Sequence, residues 1–477
     1  MGSKIFEFTE PVKEIETDIL VAGAGPGGTC AAIAAARSGA KVLLVEQGNC
    51  AGGMVTQGLV GPFMTCYDKS GEHMIIRGLF EEVVDRMIEK GGAIHPSEVR
   101  KKTAYTSWIE KGHDHVTPFK TETLKLVLDE MLEEARVKVL YHTTFVQPVL
   151  HGCNIKGAIV FSKAGFEKIN AKVVIDATGD ADVAYRAGAA CEYGNNQLGI
   201  VQPATMFFHI SNVDSAKLEA DIEANKDNFY RKDGVNYRSF HWWVEKAREN
   251  GDWDFERTSL GLFKGVDDDE WFVNTSRING VDATNNESLT YAEREGRKQA
   301  DMIFRMIKKY VPGCENAKLT ETASTIGIRE SRHVEGDYRL EVDDILEGEV
   351  PEDSIMVCAN SVDIHGRFGP KSNEYLTMRK GEYYGVPYGC LVPKKIENLL
   401  VAGRSISASS EAAGAIRVTP PVMAIGQAAG VAAALSIKEQ CSVRMVDVQK
   451  LRQLLKEQKA YLGAVSYTHL RAHETTL

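Results

Sequence analysis

A glycine-rich turn near the start of the chain has the residue spacing that binds a nucleotide pyrophosphate. It reads Gly23-Ala24-Gly25-Pro26-Gly27-Gly28, which fits GxGxxG, and it lies between an apolar strand and an Ala-rich helix. In this pattern the first glycine permits the turn, the second lets the backbone approach the pyrophosphate, and the third lets the helix pack on the strand. Glu46 ends the next strand, where a carboxylate accepts hydrogen bonds from ribose hydroxyls. We therefore predict a dinucleotide site.

Three later segments indicate which dinucleotide is bound. They are Gly52-Gly53, the strand end Asp176-Ala177-Thr178-Gly179-Asp180, and Ala402-Gly403-Arg404. An NAD domain needs one contiguous unit, whereas an extended FAD is enclosed by segments that are distant in sequence. A second GxGxxG at a strand–helix junction is absent from the sequence, so a separate nicotinamide domain is not expected. The set favours FAD.

Two arginines and a histidine are candidates for the substrate side. If residues Ile326–Val334 form a helix, Arg329 and Arg332 share a face and can clamp a carboxylate. The alternative is ion pairing with neighbouring carboxylates. His365 is a candidate acid or base for hydride transfer, and its alternative is a structural role.

Composition limits the class of partner. The 477 residues are 43% hydrophobic and 26% charged, which is typical of a globular protein. The net charge of −10 gives no support to a nucleic-acid or anionic-membrane partner. The nine cysteines include no CxxC pair, so we expect no iron–sulfur cluster, no metal site and no redox dithiol. With no apolar leader or membrane span recognised, we expect a cytoplasmic protein that binds a small molecule.

The elements that must position these residues begin with a βαβ unit. We predict a strand at Asp18–Ala22, a helix at Thr29–Ser38 and a strand at Lys41–Val45. Such units build a doubly wound parallel sheet. Further predicted elements are helices at Leu79–Glu89, Thr121–Ala135 and Leu289–Lys309, strands at Val137–His142, Ile155–Phe161, Lys172–Ile175 and Trp271–Ile278, and a late helix with Thr419 as N-cap and Pro420 in its first turn.

The fold class predicted is α/β, with a doubly wound, Rossmann-like FAD-binding domain and an inserted α+β substrate domain. The change in character between the glycine-rich segments places the FAD-binding domain at residues 1–190 and 390–464, and the substrate domain at 191–389. Residues 465–477 look like translated adapter sequence, and we expect them to be a non-native tail.

The order of the motifs resembles one known family. TDILVAGAGPGG, VVIDATGDADVAYRAGA, VPYGCLVPKKIENLLVAGRS and IRVTPPVMAIGQAAGVAAA are similar to segments of FAD-dependent oxidoreductases that include the flavoprotein core of heterodisulfide reductase, in the glutathione-reductase-type superfamily. The resemblance runs from Thr17 to about Leu462. It implies FAD contacts at Ala415 and Ile416, and it places Tyr388 and Arg417 near the flavin as further catalytic candidates. Many superfamily members have Gly-Asp where this chain has Gly403-Arg404, so that carboxylate contact does not transfer.

The expected activity is hydride transfer between flavin N5 and a small polar or anionic organic substrate. Electrons are expected to enter or leave through the substrate site or a redox partner protein. One alternative is an electron-relay flavoprotein that works in a complex with iron–sulfur partners. Another is a nucleotide-binding module without catalytic activity.

Overall fold

The fold is described by a computed structural model that covers residues 13–64, 66–98, 115–195, 200–228, 230–232, 235–237, 240–366 and 374–463. The strands within these ranges are β1 (Lys13–Ala22), β2 (Val42–Val45), β3 (Lys138–Leu140), β4 (Thr144–His151), β5 (Asn154–Ser162), β6 (Gly165–Asp176), β7 (Cys191–Tyr193), β8 (Phe208–Ser211), β9 (Tyr230–Lys232), β10 (Val235–Tyr237), β11 (Leu262–Lys264), β12 (Trp271–Val273), β13 (Lys318–Thr322), β14 (Arg332–Val334), β15 (Ser354–Cys358), β16 (Val362–Ile364), β17 (Glu374–Leu376), β18 (Tyr384–Pro387) and β19 (Leu399–Val401). The helices are α1 (Pro26–Arg37), α2 (Leu79–Glu89), α3 (Thr121–Glu134), α4 (Asp182–Arg186), α5 (Ser215–Ala224), α6 (His241–Glu249), α7 (Asn286–Tyr310), α8 (Val342–Leu346), α9 (Ser410–Ile416), α10 (Thr419–Glu439) and α11 (Val448–Glu457).

A seven-stranded sheet forms the centre of the larger core. Strands β3, β2, β1 and β6 are adjacent and parallel, and β19 pairs in parallel with the carboxyl end of β6. Ala22 and Val401 are both in register with Asp176, so the loops after β1, β6 and β19 leave the sheet at one edge. The structure therefore brings together the glycine turn after β1, the segment Asp176–Asp180 after β6 and the segment Ala402–Arg404 after β19. It also confirms the α/β fold with a parallel, Rossmann-like sheet.

Two helices that pack on this sheet are in very close contact with each other. A Cβ added at Gly426 of α10 would lie 2.0 Å from the carbonyl oxygen of Gly27, and one at Gly430 would lie 2.1 Å from that of Ala31 in α1. Small residues thus let the helix backbones touch. Helix α10 is long and apolar enough to span a membrane by composition, but 89% of that stretch is buried inside the protein. We interpret it as a core helix.

A second, smaller core lies beside the first. Its sheet has the order β11, β12, β8, β13, and α5, α6 and α7 contribute buried side chains. Its buried residues run from Ala204 to Ile326, with Leu59 added from the first part of the chain. Hydrophobic residues from Val334 to Ile396 pack in the larger core. The domain limits at residues 191 and 389 stay predictions.

Most predicted elements are present, with shifted ends. Helix α2 matches its prediction, whereas α1 begins at Pro26 inside the glycine turn rather than at Thr29. Strand β4 was not predicted because it is a mostly exposed edge strand that contains Pro148, and so lacks a clear apolar alternation. The tail at 465–477 lies outside the described residues.

The helix that would place Arg329 and Arg332 on one face does not form. Residues Ile326–Val334 do not form a helix, because Gly327 is paired with Thr205 and Arg332–Val334 pairs with β7 as strand β14. Arg329 and Arg332 therefore do not share a helix face.

Candidate functional site

A cavity of about 390 Å³ lies between the two cores. One wall is formed by the loops after β1, β6 and β19, and the opposite wall by residues of the smaller core and the segment that follows it. The lining includes Gly23, Gly25, Pro26, Gly27, Glu46, Gly53, Thr143, Thr178, Gly179, Asp180, Thr205, Phe207, Phe263, Asn274, Arg329, Asp363, His365, Gly403, Arg404, Arg417, Val418 and Thr419.

The glycine turn leaves room for a ligand directly over its backbone. Gly23 has φ +97°, and a Cβ there would lie 2.5 Å from the carbonyl oxygen of Ala177. A Cβ at Gly25 would meet no atom within 4 Å, and Gly25 lines the cavity as the N-cap of α1 without a side-chain cap. First-turn N–H groups of a helix attract anions, so this end of α1 suits a pyrophosphate.

Glu46 is held in place by the turns on either side of it. Its Oε2 accepts a hydrogen bond from the Ala24 N–H at 2.7 Å, and its Oε1 accepts one from the Gly48 N–H at 2.7 Å. The side chain lines the cavity although the residue is only 8% exposed. Each oxygen keeps a further lone pair for a ribose hydroxyl.

The segment after β6 is fixed by a buried carboxylate. Asp176 Oδ1 accepts from the N–H and the hydroxyl of Thr178, and Oδ2 accepts from the Ala184 N–H. This arrangement leaves Asp180 on the cavity wall, where its Oδ1 accepts from Arg404 Nη2 at 2.5 Å. Arg404 thus pairs with a carboxylate from another segment.

The start of α10 forms the part of the wall nearest to Arg417. Val418 is the N-cap, not Thr419 as predicted, and it provides no side-chain cap. Val418 and Thr419 both line the cavity. Because these two residues lie at the N-terminus of α10, the positive end of this helix faces the cavity.

Arg329 and Arg417 reach the cavity from different elements. Arg329 Nη1 donates to Pro203 O at 2.6 Å and to Thr205 Oγ1 at 2.5 Å. Arg417 Nη2 donates to Gln202 Oε1 and to the carbonyl oxygen of Asp363, both at 3.2 Å. Neither guanidinium has a carboxylate within ion-pairing distance among the described residues. Both cations are therefore open to an anionic ligand.

His365 lies beside the same arginines. Its main-chain N–H donates to Gln202 Oε1 at 3.1 Å, and its Nε2 lies 3.5 Å from Asp363 Oδ2. Helix α9 packs directly on this segment, because a Cβ at Gly414 would lie 3.1 Å from Asp363 O. This contact brings Arg417, which follows α9, next to His365.

Electrostatics favour the neutral imidazole at this position. Burial, and then the positive charges of Arg329, Arg417, Arg257 and Arg277, lower the pKa of His365 well below its usual value of 6.5. Burial and the neighbouring guanidiniums likewise lower the pKa of Arg329. The surroundings of His365 are thus strongly positive.

Several predicted site residues lie outside the cavity lining. Arg332 donates to Asp180 O and to Asp182 Oδ1, and its guanidinium covers the Tyr185 ring. Tyr388 is buried and donates to Val443 O. Arg332 therefore contacts the loop after β6 and Tyr388 packs in the larger core, both away from the cavity lining, and their predicted catalytic roles stay predictions. Four predicted FAD contacts also lie outside the lining: Gly28, Gly52, Ala415 and Ile416. Gly28 instead packs against the turn, because a Cβ added at Gly28 would lie 1.9 Å from the carbonyl oxygen of Gly23.

Sequence reasoning missed Gln202, whose side-chain oxygen accepts from both Arg417 and His365. It also missed Arg277, whose Nε lies 3.0 Å from Glu256 Oε1. Both residues lie in segments without a recognisable motif. Among the described residues, no group of three or more His, Cys, Asp or Glu side chains is placed to hold a metal ion.

Comparison with known families gives one match over most of the chain. Residues 18–455 match the family model described as FAD dependent oxidoreductase. Dihydrolipoyl dehydrogenase of Staphylococcus aureus is 36% identical over 104 residues, which is 21% of this chain. This match spans only 22% of the length of that curated relative.

Two solved structures resemble most of the chain at low identity. A geranylgeranyl bacteriochlorophyll reductase-like protein of Thermoplasma acidophilum is 14% identical with a TM-score of 0.41, over 94% of this chain and 86% of that one. A p-nitrophenol 4-monooxygenase of Pseudomonas putida is 11% identical with a TM-score of 0.43, over 94% and 88%. These likenesses concern the fold alone.

Proposed function

Because the chain belongs to the FAD-dependent oxidoreductase family, we propose that its cavity binds FAD beside a small organic anion that the enzyme oxidises or reduces. The anion is held by Arg329 and Arg417. The narrower likeness to the flavoprotein core of heterodisulfide reductase and a cytoplasmic location remain proposals that rest on the sequence.

The residues on the sheet side of the cavity fit the cofactor. The open backbone at Gly25 and the uncapped start of α1 suit the pyrophosphate, and Glu46 suits the adenosine ribose. Asp180 and Arg404 line the same cavity, as do Val418 and Thr419 at the start of α10. When bound, FAD supplies a two-electron redox centre whose N5 exchanges hydride with a substrate.

The observation that carries the proposal is that Arg329 and Arg417, which both line the cavity, donate hydrogen bonds to uncharged oxygens. Burying a cation is costly unless it is paired. Arg329 and Arg417 are half-buried in the cavity wall and donate only to carbonyl, hydroxyl and amide oxygens among the described residues, so a ligand that covers them has to supply the opposite charge. A substrate carboxylate would complete both sites, and a guanidinium binds a carboxylate with two parallel hydrogen bonds.

His365 is suited to accept a proton from that substrate. Its lowered pKa keeps the imidazole neutral near pH 7, so that one ring nitrogen is available as an acceptor. Asp363 lies 3.5 Å from Nε2 and stabilises the protonated ring once it forms. His365 therefore acts as the base in oxidation, or as the acid in reduction.

A titration of the purified, flavin-loaded protein tests this proposal. Organic carboxylates should perturb the absorption of the bound flavin in a saturable way, and the matching primary amides should not. Arg329→Gln and Arg417→Gln should each weaken the response about tenfold or more, because each removes one charged hydrogen-bonding partner. Arg37→Gln is the matched control, since Arg37 pairs with Glu82 on the surface. Equal responses to acids and amides would overturn the proposal.

A further inference from the structure

We propose, resting on the function proposed above, that the substrate is a 2-hydroxycarboxylate whose carboxylate binds Arg329 and Arg417 while its hydroxyl donates to His365.

Only a short distance separates the anion site from His365. Arg417 Nη2 and the His365 N–H bind the same oxygen, Gln202 Oε1, at 3.2 and 3.1 Å. The main chain of His365 thus lies within two hydrogen-bond lengths of the Arg417 guanidinium, and His365 lines the same cavity as Arg329 and Arg417. A ligand that reaches both the guanidinium and the His365 ring therefore spans little more than one side chain, which favours a hydroxyl on the carbon next to the carboxylate.

The positive charge around His365 favours an uncharged substrate group next to its ring. Four guanidiniums, those of Arg329, Arg417, Arg257 and Arg277, act on His365, and the carboxylate in contact with its ring is Asp363. The same field that disfavours an imidazolium disfavours a substrate ammonium at this place. A neutral hydroxyl is therefore favoured over the amine of a 2-amino acid.

Protons and electrons balance in the oxidation of such a substrate. The hydroxyl proton passes to the neutral imidazole of His365, and the resulting cation is stabilised by the Asp363 carboxylate. When FAD is bound, it would accept the hydrogen on C2 together with two electrons. The C2–O bond becomes a carbonyl, and the product is a 2-oxocarboxylate.

Binding of compounds that cannot be oxidised tests the inference without relying on activity. We would measure dissociation constants at pH 7 by calorimetry with the FAD-loaded protein and four probes. Three probes carry no hydrogen on the carbon that bears the hydroxyl or amine, and the fourth has neither group. These are 2-hydroxy-2-methylpropanoate, 2-amino-2-methylpropanoate, 3-hydroxy-3-methylbutanoate and 2-methylpropanoate.

The expected result is that 2-hydroxy-2-methylpropanoate binds at least about tenfold more tightly than each of the other three, because only it satisfies both sites without adding a positive charge. His365→Asn should reduce this preference while leaving the affinity for 2-methylpropanoate unchanged. Equal or tighter binding of the amino or 3-hydroxy compound would overturn the inference but leave the proposed function intact. If no carboxylate binds, both fail.

Discussion

Arg417 and His365 are joined through one shared acceptor, since the side-chain oxygen of Gln202 accepts hydrogen bonds from the Arg417 guanidinium and from the His365 main chain. Gln202 is itself buried, and its N–H donates to Glu330 Oε2 at 2.9 Å. This geometry makes Gln202 a positioning residue that links the anion site to the proton acceptor.

Replacing Gln202 by Leu should lower kcat/KM by about 10- to 100-fold while FAD stays bound, because two half-buried donors lose their shared acceptor at a cost of about 1–3 kcal/mol each. Steady-state kinetics over a pH series and flavin content check this. A purely structural role would leave the pH profile unmoved. Gln427→Leu is the matched control, because Gln427 is an equally buried glutamine that instead accepts from the Leu79 N–H.

Replacing Gly25 by Val should abolish FAD retention, because a Cβ there meets no atom within 4 Å and the new side chain would fill the space where the pyrophosphate is expected. The measurement is the flavin-to-protein absorbance ratio after gel filtration. Gly39→Asn, at the other end of α1, is the control, since Asn tolerates the left-handed conformation there. Full flavin retention in Gly25→Val would remove the pyrophosphate assignment.

Replacing Glu46 by Gln should weaken FAD binding and also destabilise the protein without cofactor by about 1–3 kcal/mol. The reason is that an amide has only one oxygen, so either the Ala24 or the Gly48 N–H loses its acceptor. Urea unfolding of the flavin-free variant measures the second effect separately from FAD affinity. An unchanged unfolding free energy would contradict the observed contacts.

The stability of the protein should depend on pH through His365. Because the pKa of His365 in the folded state is below the unfolded value of about 6.5, the unfolded state binds more protons as the pH falls. The neutral, folded form of His365 therefore contributes its full share to the free energy of unfolding above pH 6.5, and this contribution is lost as the pH falls below 6.5. Between pH 7.5 and pH 5.5 the wild type should lose more unfolding free energy than His365→Asn. Equal losses would show that His365 titrates normally.

The glycine turn and its sheet could be predicted from the sequence because their physics is local. Gly23 must adopt positive φ, an apolar run precedes the turn, and an Ala-rich helix follows it. The substrate side could not be predicted in the same way. Arg329 and Arg332 look like a helical pair, but pairing of Gly327 with Thr205 and of β14 with β7 sends them to different places.

The convergence of Gln202, Arg417 and His365 has no sequence signal, because it depends on long-range packing. Helix α9 can approach the segment before His365 only because Gly414 has no side chain. Such contacts between segments more than 50 residues apart are set by the assembled core and not by a local pattern.

The most direct test of the central claim is a crystal structure of the FAD-loaded protein with 2-hydroxy-2-methylpropanoate bound. We predict that the carboxylate lies within hydrogen-bond distance of both Arg329 and Arg417. A structure in which these two guanidiniums contact only FAD or protein, with the anion elsewhere, would contradict the account.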